Sequence, residues 1–94
     1  MENDGLILQQ LHDLISCYRK GAVELSSLSF KSEVLVEKMR PWLPSGAHSE
    51  AMNCVYVVEE INAVVLDENR NVTKEEVAEI ERRLVLFEKL IATQ

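Results

Sequence analysis

Thr73-Lys74-Glu75-Glu76-Val77-Ala78-Glu79-Ile80-Glu81-Arg82-Arg83-Leu84-Val85-Leu86-Phe87-Glu88-Lys89-Leu90-Ile91 is the stretch whose reading decides the fold. A threonine followed three residues later by a glutamate forms a capping box, in which hydroxyl and carboxylate each accept from a backbone N–H that a helix start leaves free. Val72 and Val77 occupy the positions of a hydrophobic staple across that cap. Behind it, Val77, Ile80, Leu84, Phe87 and Ile91 recur at spacings of three and four, with Leu90 beside them. That is one apolar stripe on a helix. Glu79 and Arg83 stand four apart on the outer side, in the favourable acid-first order. Such a helix needs partners for its stripe, and the rest of the chain supplies three.

Upstream, Ile7, Leu8, Leu11, Leu14, Ile15 and Tyr18 predict a first helix from about Asp4 to Lys20, capped by Asn3 or Asp4 and stopped by Gly21. A second helix begins between Glu24 and Ser27 and ends by Arg40, because Pro41 disfavours helical geometry in the residue before it. Its expected face is Leu25, Leu28, Leu35, Met39 and Trp42, broadened by Phe30 and Val34; Trp42 would close the end of the core. Leu43 to Ser49, with Pro44, Ser45 and Gly46, reads as a loop, and Ser49 as the cap of a third helix running to Leu66. The run Val55 to Val58 has strand-like composition, yet the spacing 55, 58, 61 and 65 persists too long for an ordinary strand and favours helix. Asp67 to Val72 is a polar connection. The expectation is an all-α, antiparallel four-helix bundle occupying residues 1–94 as a single domain.

Composition narrows the function. Of the 94 residues 47% are apolar and 28% charged, which fits a folded chain and not a disordered one. The formal net charge of −6 is concentrated. The segment from Glu59 to Glu81 holds eight acids (Glu59, Glu60, Asp67, Glu68, Glu75, Glu76, Glu79 and Glu81) against Arg70 and Lys74, so the other residues balance to zero. Such a surface repels phosphates, so nucleic acid and anionic membrane are not expected partners. No apolar run approaches the ~20 residues that span a bilayer. The N-terminus carries Glu2 and Asp4 where a secretory signal is basic, which predicts a cytoplasmic chain whose Cys17 and Cys54 are buried free thiols.

No catalytic constellation is legible, and the chain is expected not to be an enzyme and to need no cofactor or metal. His12 falls on the polar side of the first helix beside Asp13, and His48 falls in the expected loop. Neither histidine has a carboxylate or cysteine three or four residues away, so a helical metal pair is absent. There is no glycine-rich phosphate loop and no calcium loop. The paired acids Glu59–Glu60 and Glu75–Glu76 lie at helix ends, not in a cleft that would raise one pKa for acid–base work. Asn71-Val72-Thr73 matches a glycosylation sequon, but capping accounts for the threonine.

The acids themselves have a plain reading, a solvated face, and a sharper one, a docking patch for a basic protein made by Glu59, Glu60, Asp67, Glu68, Glu75, Glu76 and Glu79. A resemblance bears on the choice. Leu11-His12-Asp13-Leu14-Ile15-Ser16-Cys17-Tyr18-Arg19-Lys20-Gly21-Ala22-Val23-Glu24 resembles the opening of the colicin D-type immunity proteins, where a first helix ends in a small turn and a second follows with an early aromatic, here Phe30. The stretches Val57-Val58-Glu59-Glu60-Ile61 and Val72-Thr73-Lys74-Glu75-Glu76-Val77 are similar to that family's acidic third helix and amphipathic last helix. The likeness covers most of the chain as a pattern; Phe30 sits further from Gly21 than in the family. It implies a cytosolic inhibitor of the nuclease domain of a bacteriocin or contact-dependent toxin, acting through its acidic surface on a basic RNase. The alternative is a helical adaptor or secretion-chaperone-like module, open to homodimer formation, that would use apolar residues such as Val36, Leu43 and Val57.

Overall fold

The apolar stripes meet in a bundle of four helices, α1 (Glu2–Arg19), α2 (Leu25–Met39), α3 (Ser45–Asp67) and α4 (Lys74–Ala92), although Val77 at the start of the α4 stripe is exposed. The computed structural model describes residues 2–41 and 43–92, and side chains from Gly5 onward within those ranges. Trp42 and the side chains of Asn3 and Asp4 lie outside the described residues. There is no strand among the described residues, and Val55 to Val58 is helical. No described helix is long and apolar enough to cross a membrane.

Two left-handed residues set the first and last chain reversals. Gly21 has φ +80°, and its N–H donates to Tyr18 O at 3.0 Å while Ala22 N–H donates to Cys17 O at 2.9 Å. This six-to-one and five-to-two pattern satisfies the last carbonyls of α1 and turns the chain. The same motif ends α3, with Asn69 at φ 51°, Asn69 N–H donating to Leu66 O at 3.2 Å and Arg70 N–H to Val65 O at 3.1 Å. Asparagine tolerates the left-handed region better than other side-chain-bearing residues, which is why it can replace glycine there.

Neighbouring helices run antiparallel. Leu8 and Leu11 lie level with Phe87, Leu90 and Ile91, while Tyr18 and Arg19 at the other end of α1 lie level with Val77, Ile80 and Glu81. Ser26 Oγ donates to Asn62 Oδ1 at 3.1 Å near one end of the α2–α3 pair, and Glu37 meets His48 at the other. α1 packs closely on α2, α2 on α3 and α3 on α4, whereas α1 touches α4 lightly. That last seam is tied by charge. The Arg19 guanidinium reaches Glu81 at 2.6 Å and Glu88 at 2.7 Å, two turns apart on α4.

The core is Leu11, Leu14 and Ile15 of α1, Leu28, Leu35, Val36 and Met39 of α2, Ala51, Met52, Cys54, Val55 and Val58 of α3, and Ile80, Leu84 and Phe87 of α4. Two local expectations are corrected. In α2 the buried face is Leu28, Ser29, Ser32, Leu35, Val36 and Met39, while Phe30 is 68% exposed and Val34 is also exposed. Small serines let α2 approach its neighbours, and Ser32 Oγ satisfies itself on Ser29 O at 3.1 Å. Val36 is therefore core and not an exposed contact residue, while Leu43 and Val57 are half-buried. In α3 the helix starts at Ser45 behind Pro44, so Ser49 lies in its second turn and does not cap it. His48 accordingly sits in the first turn of α3 and not in a loop.

The capping box of α4 is present: Glu76 N–H donates to Thr73 Oγ1 at 3.1 Å and Thr73 N–H to Glu76 Oε1 at 2.9 Å. Thr73→Ala is expected to lower stability by about 1 kcal/mol through the unpaired N–H. Leu84→Ala should cost about 2–5 kcal/mol, because a fully buried side chain leaves both lost contact and a cavity. Urea unfolding followed by circular dichroism checks both; an unchanged midpoint in either variant contradicts the corresponding assignment.

Candidate functional site

At the end of the bundle where α3 passes to α4, the left-handed turn at Asn69 swings Arg70 back over the start of α4. Its Nη1 and Nη2 donate to the two oxygens of Glu76 at 2.8 and 3.0 Å, a fork-on-fork pair, while Nε donates to Glu68 and Nη1 also to Asn71 O. Glu76 thus serves both the cap and the arginine. Its carboxyl is held down to about 2, first by Arg70 and then by the Thr73 N–H. The turn is locked by charge as well as by backbone bonds.

The remaining acids divide by partner. Glu79 accepts from Arg82 and, at 2.8 Å, from Arg83 on its own helix, and its carboxyl is held below the usual range by both. Glu81 belongs to the Arg19 tie. Glu59 is half-buried and turns toward α2, where burial first and the Glu33 carboxyl second push it up to about 7. Glu60, Asp67 and Glu75 are exposed and enter no ion pair among the described residues. Of the seven acids read as a docking patch, Glu68, Glu76 and Glu79 are therefore answered by arginines of the same chain, Glu59 faces another carboxyl, and three stand free.

The free acids have neighbours that charge counting did not single out. Tyr56, Glu60, Val64 and Asp67 follow at intervals of four, four and three, which places them on one face of α3. Tyr56 is 55% exposed, and Val64 is also exposed. An aromatic and an aliphatic side chain are thus interleaved with two free carboxylates on a rigid helix, ending where Glu75 opens α4. The four-residue spacing from Tyr56 to Glu60 was the available signal for this stripe, masked because tyrosine serves equally well as core.

Elsewhere the titratable groups serve structure. Cys54 is buried, Cys17 is half-buried, and both are free thiols. Burial pushes the Cys54 thiol up, away from reactivity. His48 Nε2 is buried 3.4 Å from Glu37 Oε1 without the alignment of a hydrogen bond. Among the described residues no three histidines, cysteines or acids gather where they could hold a metal ion. The chain matches no family model, and no curated protein or solved structure matches it.

These carboxyl shifts give the fold a two-sided pH dependence. Glu76 has a folded pKa of about 2 against an ordinary 4.5, so its stabilisation is fully present above 4.5 and is lost as pH falls through 2. Glu59 runs the other way: its folded pKa is raised to about 7, so its stabilisation is present below 4.5 and is lost as pH rises through 7. Glu76→Gln should make the acid-side fall in melting temperature shallower. Glu59→Gln should raise the melting temperature above pH 7 and leave it unchanged below pH 4.5. Thermal melts across the pH range check both, and a Glu59→Gln variant destabilised above pH 7 would contradict the second.

Proposed function

We propose that this protein is a non-catalytic inhibitor of the immunity-protein kind, which holds a basic nuclease toxin domain through the Tyr56–Glu60–Val64–Asp67 face of α3 and the adjoining Glu75. The observation that carries the reading is the set of free acids: Glu60, Asp67 and Glu75 are exposed and have no ion-pair partner among the described residues. RNA-cleaving domains are basic around the cleaved phosphate. Carboxylates on a rigid helix can occupy that basic surface in place of RNA, and opposite charge speeds the encounter. Tyr56 supplies what the carboxylates lack, a large amphipathic side chain that excludes water around a charged contact. The binder works in the cytoplasm, needs no cofactor and turns over no substrate.

The arginine-paired acids contribute differently in this reading. Glu68, Glu76 and Glu79 are already held by Arg70, Arg82 and Arg83, so releasing them to a partner would cost the pairs they make. They serve as scaffold for the free three. Reversing Glu60, Asp67 and Glu75 together to lysine should leave the melting temperature nearly unchanged, because exposed charges contribute little to stability. The same variant should slow association by about tenfold or more and lessen its dependence on salt. The test is co-expression with the nuclease domain encoded in the adjacent reading frame. Wild type should restore growth, and the folded triple variant should not. An adjacent frame that encodes no nuclease, or equal protection by the triple variant, overturns the proposal.

A further inference from the structure

On the side of the bundle away from α3 and α4, α1 and α2 enclose an open groove of about 380 Å³. Leu14 and Leu35 form its floor, and Phe30 and Val34 stand on its α2 side. Phe30 is the most exposed large apolar residue of the described chain, at 68%. On the α1 wall stands Asp13 and on the α2 wall Lys31. The two are not within ion-pair distance of each other, and neither pairs with any other described charge. Asp13 only accepts from Gln9 Nε2 at 2.8 Å.

We infer that this groove is the interface of a symmetric dimer in which a second copy of the chain covers it. The occupant follows from the arrangement of the two charges. A two-fold axis lying in the interface and parallel to the groove sets α1 of one copy over α2 of the other. Because the helices are antiparallel and Asp13 and Lys31 line the same stretch of groove, this operation brings Asp13 of each copy over Lys31 of the other. Two equivalent ion pairs then flank a strip in which each Phe30 enters the opposite groove. An acid on one wall and a base on the other make the surface self-complementary, which a groove of uniform charge could not be.

Size and long-range charge agree with this occupant. α1 and α2 are 18 and 15 residues long. At 1.5 Å per residue, and with helices about 10 Å apart, they present a face of roughly 500 Å² in projection. Side-chain relief raises the area removed from water toward the ~800 Å² per partner of an ordinary stable interface. The net charge of −6 resides between Glu59 and Glu81 on α3, α4 and their connection, while the groove lining carries one acid and one base, Asp13 and Lys31. The dimer leaves the α3 face open, and its existence is independent of what that face binds.

Sedimentation of the full chain from micromolar to millimolar concentration tests the inference. Wild type should pass from monomer to dimer. Phe30→Ser should raise the dissociation constant by at least about thirtyfold without loss of helicity or melting temperature, since the side chain is exposed in the monomer. Asp13→Lys and Lys31→Asp should each weaken the dimer by about tenfold, each placing two like-charge contacts across the axis, and the double swap should restore it to within about threefold. A chain that stays monomeric to millimolar concentration overturns the inference, as does a dimer indifferent to Phe30→Ser. Failure of the double swap to rescue overturns the two-fold pairing of Asp13 with Lys31.

Discussion

Everything in this molecule depends on one shared act of burial. Phe87, Leu84 and Ile80 can leave water only if Leu11 and Ile15, Leu28 and Val36, and Val55 and Val58 turn inward at the same time. None of the four helices has an alternative use for its stripe, and 94 residues allow a single core. The requirement fixes the antiparallel order, since the connections are too short to carry the chain back along the bundle before the next helix starts. It also fixes where left-handed residues are needed. Gly21 and Asn69 are the positions at which a helix must stop and the chain turn without leaving carbonyls unpaired.

The elements that were legible in the sequence are those whose signals are local. The cap of α4 needs only Thr73 and Glu76 in the same turn, and the stop of α1 needs only Gly21. The α2 stripe of Leu28, Leu35 and Met39 was legible, but the side to which its buried face widens was not. Phe30 and Val34 are apolar and suggest the core, yet the face widens to the other side, where Ser29, Ser32 and Val36 go inside beside Leu28, Leu35 and Met39. Hydroxyls are an acceptable interior when, as at Ser32, the bond goes to the same helix. The start of α3 also departs from its sequence signal. Pro44 and Gly46 read as turn formers, but a proline ahead of a first turn removes an N–H that has no helical partner anyway, and that first turn also accommodates Gly46.

For the acidic segment the sequence displays charges and conceals their pairing. Arg70 and Glu76 are six residues apart, which is no helical spacing; they meet because Asn69 reverses the chain between them. Glu59 and Glu33 are 26 positions apart and meet only through the packing of α3 on α2. Folding therefore sorts eight similar-looking acids into distinct roles. Glu68 and Glu76 lock the turn, Glu81 ties α4 to α1, Glu79 pairs within α4, Glu59 is held against another carboxyl, and three have no ion-pair partner among the described residues. An inhibitor built this way would draw its recognition from few positions, so its specificity could change by exchange of Tyr56, Glu60, Val64 or Asp67 without touching the core.

The light α1–α4 contact has a kinetic meaning. In a bundle whose close contacts join helices consecutive in sequence, most native contacts close short loops, and short loops cost little entropy to close. Hairpins α1–α2 and α3–α4 can each form on their own stretch of chain. Only the meeting of α1 with α4 closes a loop of nearly the whole polypeptide, and there Arg19 gripping Glu81 and Glu88 adds to the packing of Leu8 and Leu11 beside Phe87, Leu90 and Ile91. The closure that spans the longest stretch of chain is thus also the lightest in contact, with Arg19 as its polar clasp. In such a bundle the two hairpins are the units that cost least loop entropy to form, and the α1–α4 seam is the one that costs most.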